Sequence, residues 1–210
     1  MKKRLFALLL TLCLLVCCAV PAFAAGSGNV ARMYLCYRWS GAPSLGHVWV
    51  YVENLTNHAL QVGAYTVPAG QGVSVGNFGL TRADGNGIYY NVESYCANHY
   101  SVSGMVSNRT NLTQGELNSV SSAILQQNLW LPLGSNCTDF ACRVWNAGGG
   151  ATVVSLGLPV FTKWQILSHG NRGFVQMTNV SADQVKKQHG SGSGATLTTC
   201  SAGTISKQIG

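Results

Sequence analysis

Five cysteines follow residue 24: Cys36, Cys96, Cys137, Cys142 and Cys200. An odd number in an exported chain points to one working thiol beside four that are available for bridges. Cys137 has the placement a nucleophile needs. It follows Gly134-Ser135-Asn136. Phe140, Ala141, Val144 and Trp145 then recur at spacings of three and four, and Gly148 to Gly150 end the run. That pattern predicts a helix with Cys137 in its first turn. Backbone N–H groups there have no intrahelical acceptor and the helix dipole is positive, so a thiolate is stabilised. The same N–H groups suit an oxyanion once that thiolate has attacked a carbonyl. Cys142 sits a turn and a half inside the helix, where no free N–H groups remain. The competing reading of Cys137 is a half-cystine or a small buried residue. Cys36, Cys96, Cys142 and Cys200 read as structural, in possible disulfides whose pairing stays open. No Cys-x-x-Cys or paired His/Cys spacing argues for zinc, so neither a metal nor a cofactor is expected.

A cysteine nucleophile needs a base. Of the five histidines, His47 is the candidate. It opens His47–Glu53 (HVWVYVE), where Val48, Val50 and Val52 form one face and His47, Trp49, Tyr51 and Glu53 the other. Alternation over seven residues predicts a strand, and a strand holds an imidazole rigidly. The plain alternative is a surface histidine at a strand end. His58 lies in a turn, His99 and His169 in loops, and His189 near a Gly-rich segment.

The elements that must position this pair follow from the same patterns. Met33–Arg38, Val73–Phe78 and Gly87–Val92 read as further strands. Leu60–Val67 reads as the return strand of a hairpin turning at Asn54–Asn57. The first half of the chain is therefore a strand meander. Thr113-x-x-Glu116 is a capping box ahead of Leu117, Val120, Ile124 and Leu125, which predicts a helix ending near Gln127. Shorter helical pieces are expected at Thr162–Ser168 and Ser181–Gln188. Asp139 is expected to stabilise the N-terminus of the cysteine helix. Tyr89, Tyr90, Tyr95 and Tyr100 read as a strand face plus loop.

GHVWVYVEN followed far downstream by SNCTDFACRVWN resembles the circularly permuted papain-like thiol hydrolases, a superfamily that includes the NlpC-type cell-wall peptidases and lecithin retinol acyltransferase-like members. In the permuted order the histidine strand precedes an Asn-Cys-x-x-Phe helix, as it does here. The resemblance implies Cys137 as nucleophile, His47 as general base, and Asn136 and Phe140 as the residues framing the nucleophile helix. It implies an α+β fold, with an antiparallel, barrel-like sheet packed on the Cys137 helix. It also implies cleavage of an amide bond, in a peptide or in peptidoglycan, or of an acyl bond. The superfamily orients its histidine with a polar residue on the neighbouring strand. Folding Leu60–Val67 back on His47–Glu53 puts Gln61, Tyr65 and Thr66 near that place, none of them Asp, Asn or His, and Tyr65 is the candidate. The alternative is a non-catalytic module that binds a cell wall or surface.

Bulk properties set the frame. Lys2, Lys3 and Arg4, an apolar run from Leu5 to Val20, Pro21 and Ala22-Phe23-Ala24 together read as a secretory signal spanning residues 1–24. One domain over residues 25–189 and a Gly/Ser/Thr-rich tail over 190–210 are expected to follow. The signal holds three of the 13 basic residues and none of the six acids, leaving a basic excess of four. No basic run interleaved with aromatics appears, so nucleic acid is not an expected partner. There is no second apolar span, so no stable membrane insertion is expected after signal cleavage. The expected partner is a peptide or cell-wall substrate met outside the cytoplasm.

Overall fold

The computed structural model describes residues 28–39, 46–79, 85–100, 104–126, 131 and 134–201. The expected signal segment lies outside them. No helix among the described residues is long and apolar enough to cross a membrane.

The chain is mixed α+β. Strands β1 (Ala31–Arg38) and β2 (His47–Asn54) pair antiparallel along their whole length, from Ala31 opposite Asn54 to Arg38 opposite His47. Two short strands, β3 (Leu60–Val62) and β4 (Tyr65–Val67), form a separate hairpin. Then come β5 (Gly72–Phe78), β6 (Gly87–Tyr90) and helix α1 (Val92–His99). Strand β7 (Val106–Leu112) leads into helix α2 (Gln114–Leu125). Helices α3 (Cys137–Ala147) and α4 (Pro159–Ser168) follow, and a hairpin of β8 (Lys186–His189) and β9 (Thr196–Thr199) ends the described chain. The large sheet has seven strands in the order β7-β1-β2-β5-β6-β8-β9. It is open, with β7 and β9 at its edges, and no closed barrel forms among the described residues.

Both faces of β1 and β2 are covered. Met33, Leu35 and Tyr37 of β1, with Val48, Val50 and Val52 of β2, pack in one cluster with Leu117, Val120 and Ile124 of α2 and Phe140, Ala141, Val144 and Trp145 of α3. On the other face Tyr34, Cys36, Trp49 and Tyr51 pack with Met105, Val175 and Met177. Two-sided burial explains why MYLCYR is apolar without a clean alternation. Phe140 and Trp145 are almost completely buried, so cutting either back to alanine costs about 3–5 kcal/mol.

Several expectations need correction. The strand Leu60–Val67 is instead a tight hairpin turning at Gly63-Ala64, and it does not return along β2. β2 pairs with β1 and β5, which removes the register that put Tyr65 opposite His47. The helix expected at Ser181–Gln188 is one 3-10 turn, Ala182–Gln184, followed by β8. The expected break at residue 190 falls inside the β8–β9 hairpin, which extends the large sheet beside β6. Residues 202–210 of the expected tail lie outside the described residues.

Candidate active site

Helix α3 begins where its sequence says it should. Asn136 is the N-cap, and its side-chain oxygen accepts from the N–H groups of Thr138 (2.8 Å) and Asp139 (3.2 Å). The Asp139 carboxylate accepts from the Asn136 N–H at 3.2 Å and closes the capping box. Ser155 donates to that carboxylate, and Asn136 Nδ2 donates to the Gly157 carbonyl at 2.7 Å. Asn77 of β5 donates to the Ser135 carbonyl at 2.9 Å and ties the preceding loop to the sheet. The cap uses the N–H groups of Thr138 and Asp139. The Cys137 N–H has no acceptor among the described residues and remains open to an incoming oxyanion. Asn136→Ala is expected to cost about 1 kcal/mol through loss of the cap, a fall of about 2–4 °C in the melting midpoint. Scanning calorimetry of the variant against the parent reads it.

His47 enters β2 directly after Gly46. Gly46 has φ +92°, and a Cβ there would lie 2.6 Å from Tyr37 Cε2. Only glycine turns the chain into the strand at this point. The imidazole is wedged between Phe78, at 4.3 Å between ring centroids, and Trp49, at 5.8 Å, both nearly parallel to it. Its Nε2 meets Glu93 Oε1 at 2.9 Å. The Cys137 thiol lies close enough to the same ring for each group to shift the other's pKa. The Val48 N–H of β2 and Thr138 act on the sulfur in the same direction as His47.

Glu93 is the residue that sequence reasoning missed. It is the second residue of α1, and its side chain is only 7% exposed. Asn91 caps α1 in a left-handed conformation, φ 66°. The Asn91 N–H donates to the Ser74 carbonyl at 2.8 Å, and the Ser94 N–H to Ser74 Oγ at 3.1 Å. Those bonds dock α1 on β5. Gly76 of β5 makes room for the pair: a Cβ there would collide with Glu93 Oε1 and lie 3.0 Å from His47 Nε2. Because Gly76 is not in a left-handed conformation, Gly76→Ala tests crowding alone. The variant is expected to fold, to melt a few degrees lower, and to lose roughly tenfold or more in the rate of Cys137 alkylation as the His47–Glu93 bond is forced apart.

The charges reinforce one another. Burial alone would lower the His47 pKa. The hydrogen bonds to Cys137 and Glu93, and the negative charge of both, outweigh burial and raise it to about 9. Burial likewise pushes the Cys137 thiol up, but His47, the Val48 N–H and Thr138 bring it below its ordinary value. The other buried thiols behave oppositely. Burial raises Cys142 to about 11, and burial with the nearby Glu93 charge holds Cys36 well above the ordinary range. Of these three thiols, Cys137 alone is shifted toward its thiolate form. As the proton donor to a leaving group, the imidazolium would lose its proton as pH rises through about 9. Turnover is therefore expected to fall above about pH 9, which a kcat/KM profile over pH 5–10.5 would show.

The remaining candidates lie elsewhere. Tyr65, on the β3–β4 hairpin, stacks on Tyr90 at 5.7 Å. Gln61 and Thr66 hydrogen-bond each other across that hairpin. Cys36, Cys137 and Cys142 are in no disulfide. Cys36 faces the Trp49 side of the sheet; Cys142, on α3, packs on the opposite side and lies 3.7 Å from the Thr162 hydroxyl. No group of three or more His, Cys, Asp or Glu among the described residues could hold a metal ion. A cleft of about 320 Å³ lined by Tyr34, Glu53, Arg109, Arg172 and Phe174 lies toward the far end of β2, roughly 20 Å along the strand from His47. Comparison with protein-family models, with curated proteins and with solved structures finds no match to this chain.

Proposed function

We propose that the chain is a thiol hydrolase working through Cys137, His47 and Glu93. The observation that carries the reading is the His47 ring, hydrogen-bonded through Nε2 to the buried Glu93 carboxylate and electrostatically coupled to the Cys137 thiol. The Cys137 thiolate attacks the carbonyl carbon of an amide or acyl ester. The oxygen, now negative, rests on the Cys137 N–H at the positive end of α3. The His47 imidazolium gives its proton to the leaving amine or alcohol. Neutral His47 then takes a proton from water, which attacks the thioester and frees the acid, and the thiol is regenerated. Glu93 holds the ring in place and favours its charged form.

The opening signal-like segment supports work outside the cytoplasm, on a peptide or on the peptide portion of a cell-wall polymer. The alternative, a binding module that has lost its chemistry, drew its force from a missing partner for His47. Glu93 supplies that partner, which favours the enzyme. The test is to incubate the protein with cell-wall fragments, peptides and aryl acyl esters, quench in acid, and weigh the Cys137 peptide. An acyl adduct on Cys137 with release of new amine or alcohol supports the reading. A Cys137 that alkylates rapidly yet never acylates and releases nothing from any of the three classes would overturn it.

A further inference from the structure

We infer that Cys96 and Cys200 form a disulfide that straps the C-terminal hairpin to α1. The two residues come together in one small buried cluster with Tyr89, Val92 and Val185, separate from the main core. Cys96 lies on α1, one helical turn after Val92 and on the same side of the helix. Cys200 follows β9 directly, and its N–H donates to the Val185 carbonyl at 3.0 Å. Both are almost buried, at 5% and 7% exposure. The other cysteines are placed where they cannot serve. Cys36 and Cys142 lie on opposite sides of the large sheet, in different clusters from each other and from Cys96 and Cys200. A disulfide needs Cα atoms within about 7 Å, which a sheet between two residues does not allow. Cys137 is engaged with His47. The arrangement therefore reduces the three possible double pairings to one bridge and leaves Cys36 and Cys142 as thiols.

What the bridge would hold explains its position. The β8–β9 hairpin joins the large sheet only through β6, by two facing pairs, Tyr89 with Lys187 and Tyr90 with Lys186. Its outer strand is the edge of the sheet, and GSGSGATLTT has few apolar side chains to bury. A covalent link back to α1 closes a loop of about one hundred residues, a length at which cross-linking restricts the unfolded chain strongly. It also fastens the helix that presents Glu93. The bond forms by two exchanges with a disulfide oxidant such as oxidised glutathione. One protein thiolate attacks the oxidant and releases one reduced thiol. The second thiolate then attacks the mixed disulfide and releases the other. Two electrons and two protons leave the protein in total.

Mass mapping of the full chain tests this. The protein is equilibrated with oxidised glutathione, unfolded, alkylated with iodoacetamide and digested without reductant. The expected result is a linked pair of peptides containing Cys96 and Cys200, lighter than their sum by two hydrogens, with Cys36 and Cys142 alkylated and Cys137 alkylated or carrying glutathione, never linked to another cysteine of the chain. Alkylation of all five, or Cys96 linked to any other cysteine, would overturn the inference. Stability gives an independent reading. Reductant is expected to lower the melting midpoint of the parent by about 10 °C and to leave Cys96→Ser and Cys200→Ser unmoved. A parent midpoint indifferent to reductant after the oxidation step would also overturn it. Neither result depends on whether Cys137 turns over a substrate.

Discussion

Cys137→Ala is expected to abolish turnover, a loss on the order of 10⁴-fold or more, while the protein folds and melts within a few degrees of the parent. The reason is that the whole covalent route runs through one sulfur at the end of α3. His47→Ala is expected to cost roughly 10²–10⁴-fold, the usual worth of a positioned acid–base group. The loss has two sources. The thiolate at Cys137 loses its hydrogen bond and its neighbouring positive charge, and the leaving group loses its proton donor. The double variant should be no worse than Cys137→Ala, because the two groups act as one unit. Titration of turnover with each variant, alongside alkylation by iodoacetamide, separates the contributions. His47→Ala should slow alkylation most on the acid side of the ordinary thiol range, as at pH 6, because His47 is the main group that lowers the Cys137 pKa. Equal alkylation rates in the parent and His47→Ala at pH 6 would mean that the ring does nothing for the sulfur.

The second large effect is expected at Glu93. Its carboxylate is nearly buried, one oxygen accepts from His47, and the other, Oε2, has no hydrogen-bond partner among the described residues. A half-satisfied buried charge costs stability, so a residue kept only for structure would be poorly chosen here. Glu93→Gln keeps the size and an acceptor oxygen but removes the charge. It is therefore expected to melt at the same temperature as the parent or slightly above it. Function should move the other way. Without the carboxylate the imidazolium is less favoured, the His47 pKa falls from about 9 toward its ordinary value, and the Cys137 thiolate loses part of its support. Turnover is expected to drop about tenfold or more, and the alkaline fall in the pH profile should move down. Glu93→Asp, with a shorter reach, should restore the charge but only part of the rate. Loss of stability in Glu93→Gln without a shift of the alkaline limb would assign Glu93 a purely structural role.

The places of Cys137 and His47 were legible in the sequence because each rests on a local pattern. Asn136 ahead of Cys137, with Phe140, Ala141, Val144 and Trp145 at helical spacing, needs no distant partner to be recognised. His47 sits on a strand whose alternation spans its full length. The partner of His47 was not legible, because it depends on which strand lies beside β2. Sequence proximity suggested Leu60–Val67, but Gly63-Ala64 folds that stretch on itself and β5 takes the place. Glu93 then arrives from a helix of eight residues, VESYCANH, which has neither a periodic apolar face nor a side-chain cap. The scarcity of acids was the usable clue. Only six acids occur in the chain, and Glu93 directly follows the expected strand Gly87–Val92. The tail was misjudged for a similar reason. Lys186–His189 and Thr196–Thr199 are polar, and they become strands because β6 offers an unpaired edge rather than because they carry an apolar face. The barrel expectation came from the family resemblance, whereas the observed sheet stays open because β7 and β9 do not meet.

The most direct measurement is the rate of iodoacetamide reaction at each cysteine of the native protein from pH 4.5 to 10, read by peptide mass. One thiol, Cys137, should react fast, with a rate that holds up well below the ordinary thiol range and that collapses there when His47 is replaced by alanine. A Cys137 rate that rises only through the ordinary thiol range, unchanged by removal of His47, would contradict the thiolate–imidazolium pair on which the proposed chemistry stands.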